Sequence, residues 1–152
     1  MRTPSRIIIV DDHPARSADL CSALAAQPDL TLSASVTCAS CTFGAVSRQQ
    51  PDLVLLSLSM PDHRVLDLVK DLRVLHAGLK LLVVSSQDQE LETALVLRAG
   101  AHGCVAACSS IPIKLDAMRQ VLAGRHCFTS PGAGAFPSSV SPIHWAGAAV
   151  AL

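Results

Sequence analysis

The stretch Arg6-Ile7-Ile8-Ile9-Val10-Asp11-Asp12-His13-Pro14 decides how the rest of the chain is read. A short β-branched apolar run reads as a buried strand, and two adjacent carboxylates end it abruptly. Pro14 then stands where a helix would begin, because its fixed φ suits a first helical position and its missing N–H costs nothing there. A buried strand, a polar loop and a helix in that order make the first βα unit of a layered α/β protein.

Working outward, the same unit repeats. Leu20, Ala23, Leu24 and Gln27 recur at helical spacing until Pro28, and Leu30 to Val36 alternates as a strand. Cys38 to Arg48 is a weaker helix with Phe43 and Val46. After Pro51-Asp52, Leu53 to Leu56 is a second continuous apolar strand. Met60-Pro61-Asp62 marks a loop, and Val65, Leu66, Leu68, Val69, Leu72 and Leu75 give a helix that Gly78 ends. Leu79 to Val84 is a third apolar strand closing on Ser85-Ser86. Leu91, Ala94, Leu95 and Leu97 form a helix stopped at Gly100. Gly103 to Ala107 is a short strand of small residues, and Pro112 opens a last helix through Leu115, Met118, Val121 and Leu122.

Five strands alternating with five helices, with strands apolar on both faces, predict a doubly wound α/β domain. Its five-stranded parallel sheet would have the order 2-1-3-4-5, with helices on both faces. In such a sheet the working surface lies beyond the carboxyl ends of the strands. That places Asp11 and Asp12, Ser57, Ser85 and Ser86, and Ala107 in one ring.

Composition agrees with a single folded domain. The chain has 152 residues, 50% apolar and 16% charged, and no apolar run long enough to span a bilayer. The N-terminus lacks a secretory pattern, so the expected location is cytoplasmic, with no membrane contact. Twelve basic and twelve acidic side chains cancel, which argues against direct nucleic-acid binding. The six cysteines read as free, mostly buried thiols, as expected inside a reducing cell. Cys38-Ala-Ser-Cys41 has CxxC spacing but no second ligand pair for zinc. Residues 1–128 form the expected domain. Residues 129–152 are a Pro-, Gly-, Ala- and Ser-rich tail without a charged side chain, carrying Trp145 as a docking candidate.

Three motifs now fall in order on the strand ends. Ile7 to Pro14 resembles the opening of a response-regulator receiver domain, and Pro51 to Pro61 resembles that family's third strand and following loop. Arg98-Ala99-Gly100-Ala101-His102-Gly103 resembles the entry to the fifth strand. Leu122-Ala123-Gly124-Arg125 resembles the close of receivers that precede a LuxR-type helix-turn-helix. The resemblance covers about residues 5–128 and implies a CheY-like fold and a role in two-component signal transduction.

Such receivers take a phosphoryl group on an aspartate beside a magnesium ion. By the resemblance, Asp11 and Asp12 match the acidic pair and Ser85 the switch hydroxyl. Ser57, however, stands at the phosphoacceptor aspartate, Ala107 at the lysine, and Cys104 at the aromatic switch residue. A serine hydroxyl without a neighbouring base is a poor nucleophile and cannot form an acyl phosphate. Its neighbours Leu56 and Leu58 are not the glycines of a nucleophile elbow, so hydrolase chemistry is not expected. Losing one aspartate and one lysine leaves the local charge balance unchanged. No cofactor is expected beyond weak magnesium binding on Asp12, with Asp11 acting through water. His13 and His63 flank the mouth as exposed loop histidines. Cys104 and Cys108 fill space or, less simply, form a redox pair.

The expected activity is that of a non-enzymatic pseudo-receiver working through protein contact or homodimerisation. The surface expected for it is formed by the fourth helix, fifth strand and fifth helix. The alternative is a LuxR-type transcription regulator that reaches DNA only through a partner regulator. An enzyme or small-ligand sensor using the same crevice ranks last.

Overall fold

The computed structural model describes residues 3–59, 65–85 and 89–128. The loop at Met60-Pro61, His63, Ser86, the tail over 129–152 and its Trp145 lie outside the described residues. The elements are β1 (Ser5–Val10), α1 (Pro14–Ala25), β2 (Leu30–Val36), α2 (Thr42–Gln49), β3 (Leu53–Ser57) and α3 (Val65–Leu75). They continue with β4 (Lys80–Ser85), α4 (Gln89–Ala99), β5 (Gly103–Ala106), α5 (Ile111–Leu122) and β6 (Cys127–Phe128).

All strand pairs are parallel and the sheet order is β2-β1-β3-β4-β5-β6. The expected order 2-1-3-4-5 is therefore present, and the count of five is corrected to six. Cys127-Phe128 carries too short an apolar run to read as a strand. It pairs with Gly103-Cys104 because position 103 has no side chain. A Cβ there would lie 2.5 Å from the Cys127 carbonyl oxygen and 2.9 Å from Leu82 Cδ1, closer than packed atoms tolerate.

Side chains alternate between the two faces of each strand, and this explains the continuous apolar runs. Ile8, Val10, Val54, Leu56, Leu81 and Val83 face one layer, packing with Val46, Leu68, Val69, Leu72 and Val96 of α2, α3 and α4. Ile7, Ile9, Leu53, Leu55 and Leu82 face the other, packing with Leu20, Leu24, Leu115, Met118 and Val121 of α1 and α5. Fully burying a side chain of this kind contributes roughly 1.5–3 kcal/mol. Two such layers fix which ends of β1, β3, β4 and β5 share a surface.

The cysteine expectation needs correction at two positions. Cys38 and Cys41 are joined as a disulfide. The turn from β2 into α2 sets their Cα atoms 5.6 Å apart, inside the range a disulfide spans, which the CxxC spacing permits without moving the backbone. The bond also leaves that pair no thiolate for zinc. Cys21, Cys104, Cys108 and Cys127 are free, but only Cys104 and Cys127 are buried, while Cys108 is exposed. Among the described residues, no helix is long and apolar enough to cross a membrane.

Candidate functional site

β1 ends one residue before Asp11, whose backbone N–H donates to the Val36 carbonyl at 2.9 Å and so ties the carboxylate to the end of β2. Asp11 Oδ1 accepts from the His13 N–H at 2.9 Å, an Asx-type turn that leads into α1. His13 is the residue preceding that helix and is exposed. Asp11 and Asp12 are both half-buried.

β3 brings up Ser57, which is only 6% exposed. Its hydroxyl pairs with the Ser59 hydroxyl at 2.7 Å and accepts from the Ser59 N–H at 3.3 Å. The following Leu58 N–H donates to the Val84 carbonyl at 2.9 Å, which pins this turn to β4. Ser57 is thus a satisfied polar residue closing a strand, and among the described residues its bonds are to a hydroxyl and a backbone amide rather than to a general base.

β4 ends in Ser85, whose hydroxyl donates to the Val105 carbonyl at 3.3 Å. Ala107, just past β5, donates its N–H to the Ser85 carbonyl at 3.2 Å and is itself exposed. Cys104 is fully buried on the side of the sheet covered by α4. Burial pushes its thiol up to about 12, against the opposing hydrogen bond from Thr93. A thiol so rarely ionised is inert, which leaves Cys104 a small hydrophobe beneath α4 and gives a redox pairing with exposed Cys108 no support.

A crevice of about 230 Å³ opens at this end of the sheet. Among the described residues it is lined by Asp11, Ser57, Ser59, Ala107 and Lys114, over a floor that includes Ile9, Val10, Leu55 and Val84. Of the residues singled out in the sequence, Asp11, Ser57 and Ala107 line this crevice together. Asp12, Ser85 and Cys104 do not line it, and Cys104 lies in the layer beneath α4. Ligand pockets for drug-sized molecules start at roughly 300 Å³, so this crevice suits an ion better than a nucleotide.

Lys114 was not anticipated. It is the fourth residue of α5, and its ammonium group donates to the Ala107 carbonyl at 2.9 Å. The helix starts at Ser110, whose hydroxyl accepts from the Ile113 N–H at 3.4 Å, and that cap aims the first turn back across the end of β5. Burial draws the Lys114 pKa below the ordinary lysine range, with Cys108 and Asp11 opposing. A signal existed in the sequence: a lysine near a helix N-terminus faces the positive end of the macrodipole, and a residue that bears this cost needs a partner elsewhere.

The donor set does not suit a resident magnesium ion. Magnesium takes oxygen ligands, usually one or two carboxylates with substrate phosphates and waters. Here the β3 end offers a neutral hydroxyl, and an ammonium group shares the crevice. Among the described residues, no group of three or more His, Cys, Asp or Glu side chains is placed to hold a metal ion.

Comparison with known proteins gives the same frame. Residues 7–120 match the response regulator receiver domain. The nitrate/nitrite response regulator protein NarL of Escherichia coli K12 is 26% identical over 121 residues, covering 80% of this chain and 56% of that protein. The transcriptional regulatory protein DegU of Brevibacillus brevis is 26% identical over 119 residues, covering 78% of this chain and 50% of that one. The chain thus spans about half the length of these relatives. A LuxR-family two-component response regulator from Aurantimonas sp. SI85-9A1 superposes with a TM-score of 0.77 at 23% identity, over 85% of this chain and 91% of that one. A parallel sheet in this strand order, with paired aspartates after β1 and a family match over three quarters of the sequence, leads to one conclusion: the chain belongs to the response regulator receiver domain family.

Proposed function

We propose that this chain is a receiver of two-component signal transduction that does not take a phosphoryl group on an aspartate and acts by protein contact. The observation that carries the reading is the end of β3. The strand closes on Ser57, buried and bonded to Ser59, so no carboxylate is offered there to attack phosphorus. Ala107 past β5 has no charged side chain to neutralise a transferred group. Ser85 supports the same reading, since its hydroxyl already bonds the Val105 carbonyl.

The contact surface we assign is the face of α4, β5 and α5, used by a second copy of this chain or by a related regulator. Leu91 and Leu95, four residues apart on α4 and so on one face, are 57% and 40% exposed. An effect on DNA would then pass through a partner regulator. Its relatives' names, a nitrate/nitrite response regulator and a transcriptional regulatory protein, support that setting.

One experiment tests both halves. The protein is incubated with acetyl phosphate and magnesium, and its mass and sedimentation are followed alongside Leu91→Asp. The expected result is no mass gain, unchanged sedimentation after treatment, and loss of association in the variant. A phosphoryl adduct on any residue overturns the reading of the pocket, and association indifferent to Leu91 overturns the surface.

A further inference from the structure

The crevice contains its own cation. Lys114 lines it with Asp11, Ser57, Ser59 and Ala107, and its ammonium group is held at 2.9 Å from the Ala107 carbonyl. It reaches there from a capped helix rather than from the strand end, seven residues after Ala107. Asp11 and Lys114 are the two charged side chains lining the crevice among the described residues. The position is half-buried, so the two charges interact through a medium less polarisable than water.

We propose that the Lys114 ammonium, bound to the Ala107 carbonyl inside the crevice that Asp11 and Ser57 line, is the pocket's built-in cation and competes there with divalent metal ions. This goes beyond the proposed loss of phosphoryl acceptance: it assigns a residue and a binding preference to the same crevice. Lys114 neutralises Asp11 and holds the junction of β5 and α5, without needing a metal ion or a phosphoryl group. Cys108 and then Asp11 oppose the effect of burial and favour the charged amine. A crevice of about 230 Å³ brings any second cation close to the ammonium group. Even at the dielectric of water, a monovalent and a divalent charge a few ångströms apart repel by enough to lower affinity about tenfold.

The test is a magnesium titration of the intact protein, followed by NMR at the backbone amides of Asp11 and Asp12 and without any phosphodonor. Lys114→Met is expected to bind magnesium about tenfold more tightly than the wild type, Lys114→Arg to match the wild type, and Lys114→Met with Asp11→Asn to lose the gain. Identical behaviour of wild type and Lys114→Met, including no binding by either, overturns the proposal. Should the methionine variant fail to fold, Lys114→Gln, a shorter and polar side chain, also removes the charge and is read in the same way. Adduct formation with acetyl phosphate would sink the pseudo-receiver reading and leave this titration unaffected, so the two failures are distinguishable.

Discussion

The two ends of the sheet are built from similar amounts of polar chemistry put to different use. At the amino ends of the strands, charged groups are consumed in clamps. Arg119 of α5 binds Asp29 through Nε at 2.8 Å and Nη2 at 3.0 Å, and adds Gln27 at 2.6 Å. Arg6 and Asp52 tie β1 to the entry of β3, the Arg6 N–H donating to the Asp52 carboxylate at 2.8 Å. His102, just before β5, accepts from the Leu81 N–H through Nδ1 at 3.1 Å and meets Arg73 at its other ring nitrogen at 3.2 Å. At the carboxyl ends, the polar groups surround an open crevice and bond largely to backbone carbonyls or to one another. Both ends keep a cavity, about 420 Å³ beside Asp29 and Arg119 at the first and about 230 Å³ at the second. The first, however, joins its opposite charges directly, while the second bonds its lysine to a backbone carbonyl. A fold can thus change the residues at its working end without touching the clamps that hold the strands in register.

The sharpest way to break the contrast is to rebuild the working end. Ser57→Asp with Ala107→Lys restores a carboxylate and a strand-end cation. With acetyl phosphate and magnesium, the new carboxylate oxygen should attack phosphorus and release acetate. The expected change is from no adduct to an acyl phosphate that hydroxylamine removes. An unreactive double variant would mean that more than these two positions separates this crevice from a competent one.

A smaller effect probes the clamped end through pH. Burial, with Arg73, Lys80 and His126 adding, lowers His102 from 6.5 to about 4. The folded protein therefore keeps this ring neutral while the unfolded chain takes up a proton. Stability should be fully present above about pH 6.5 and fall as pH drops toward 4, by roughly 1–2 kcal/mol once solvent screening of a half-exposed ring is allowed for. Urea denaturation across that window checks it, and His102→Gln should flatten the slope. Asp29, which its hydrogen bond to Arg119 holds below the usual carboxylate range, gives stabilisation that is present throughout this window and is lost only at lower pH, as the carboxyl is protonated.

The smallest change is expected from Arg119→Ala. Its partner Asp29 is half-exposed, so the pair is well solvated and should be worth about 0.5–1 kcal/mol in urea denaturation. Magnesium binding at the opposite end should not respond. If it did, the two ends would be coupled through α5, which carries both Arg119 and Lys114.

Much of this architecture was legible because the evidence for it is local or periodic. Uninterrupted apolar runs at Ile7–Val10, Leu53–Leu56 and Leu79–Val84 are what a sheet covered on both faces requires, and the core layers divide them residue by residue. The strand ends could be listed from the same runs, which is why Asp11, Ser57 and Ala107 were grouped before any geometry was known. What escaped depends on three-dimensional reach. Lys114 enters the crevice through a long flexible stem from a helix, so no spacing rule connects it to Asp11. β6 is a pairing of two residues licensed by the bare Cα of Gly103, and so short a run carries no periodicity. The Cys38–Cys41 bond was discounted on an argument about cellular compartment, whereas the turn geometry decides whether two sulfur atoms meet.

The short pairing of Cys127-Phe128 on Gly103-Cys104 also limits how this protein can meet others. An uncovered outer strand offers a row of amide and carbonyl groups on which a foreign segment can lie down and extend the sheet. Here the last full strand is only four residues long, and half of its margin is already taken. Among the described residues, strand addition on that flank would have to build on the two residues of β6 or the last two of β5, a short template for a foreign segment.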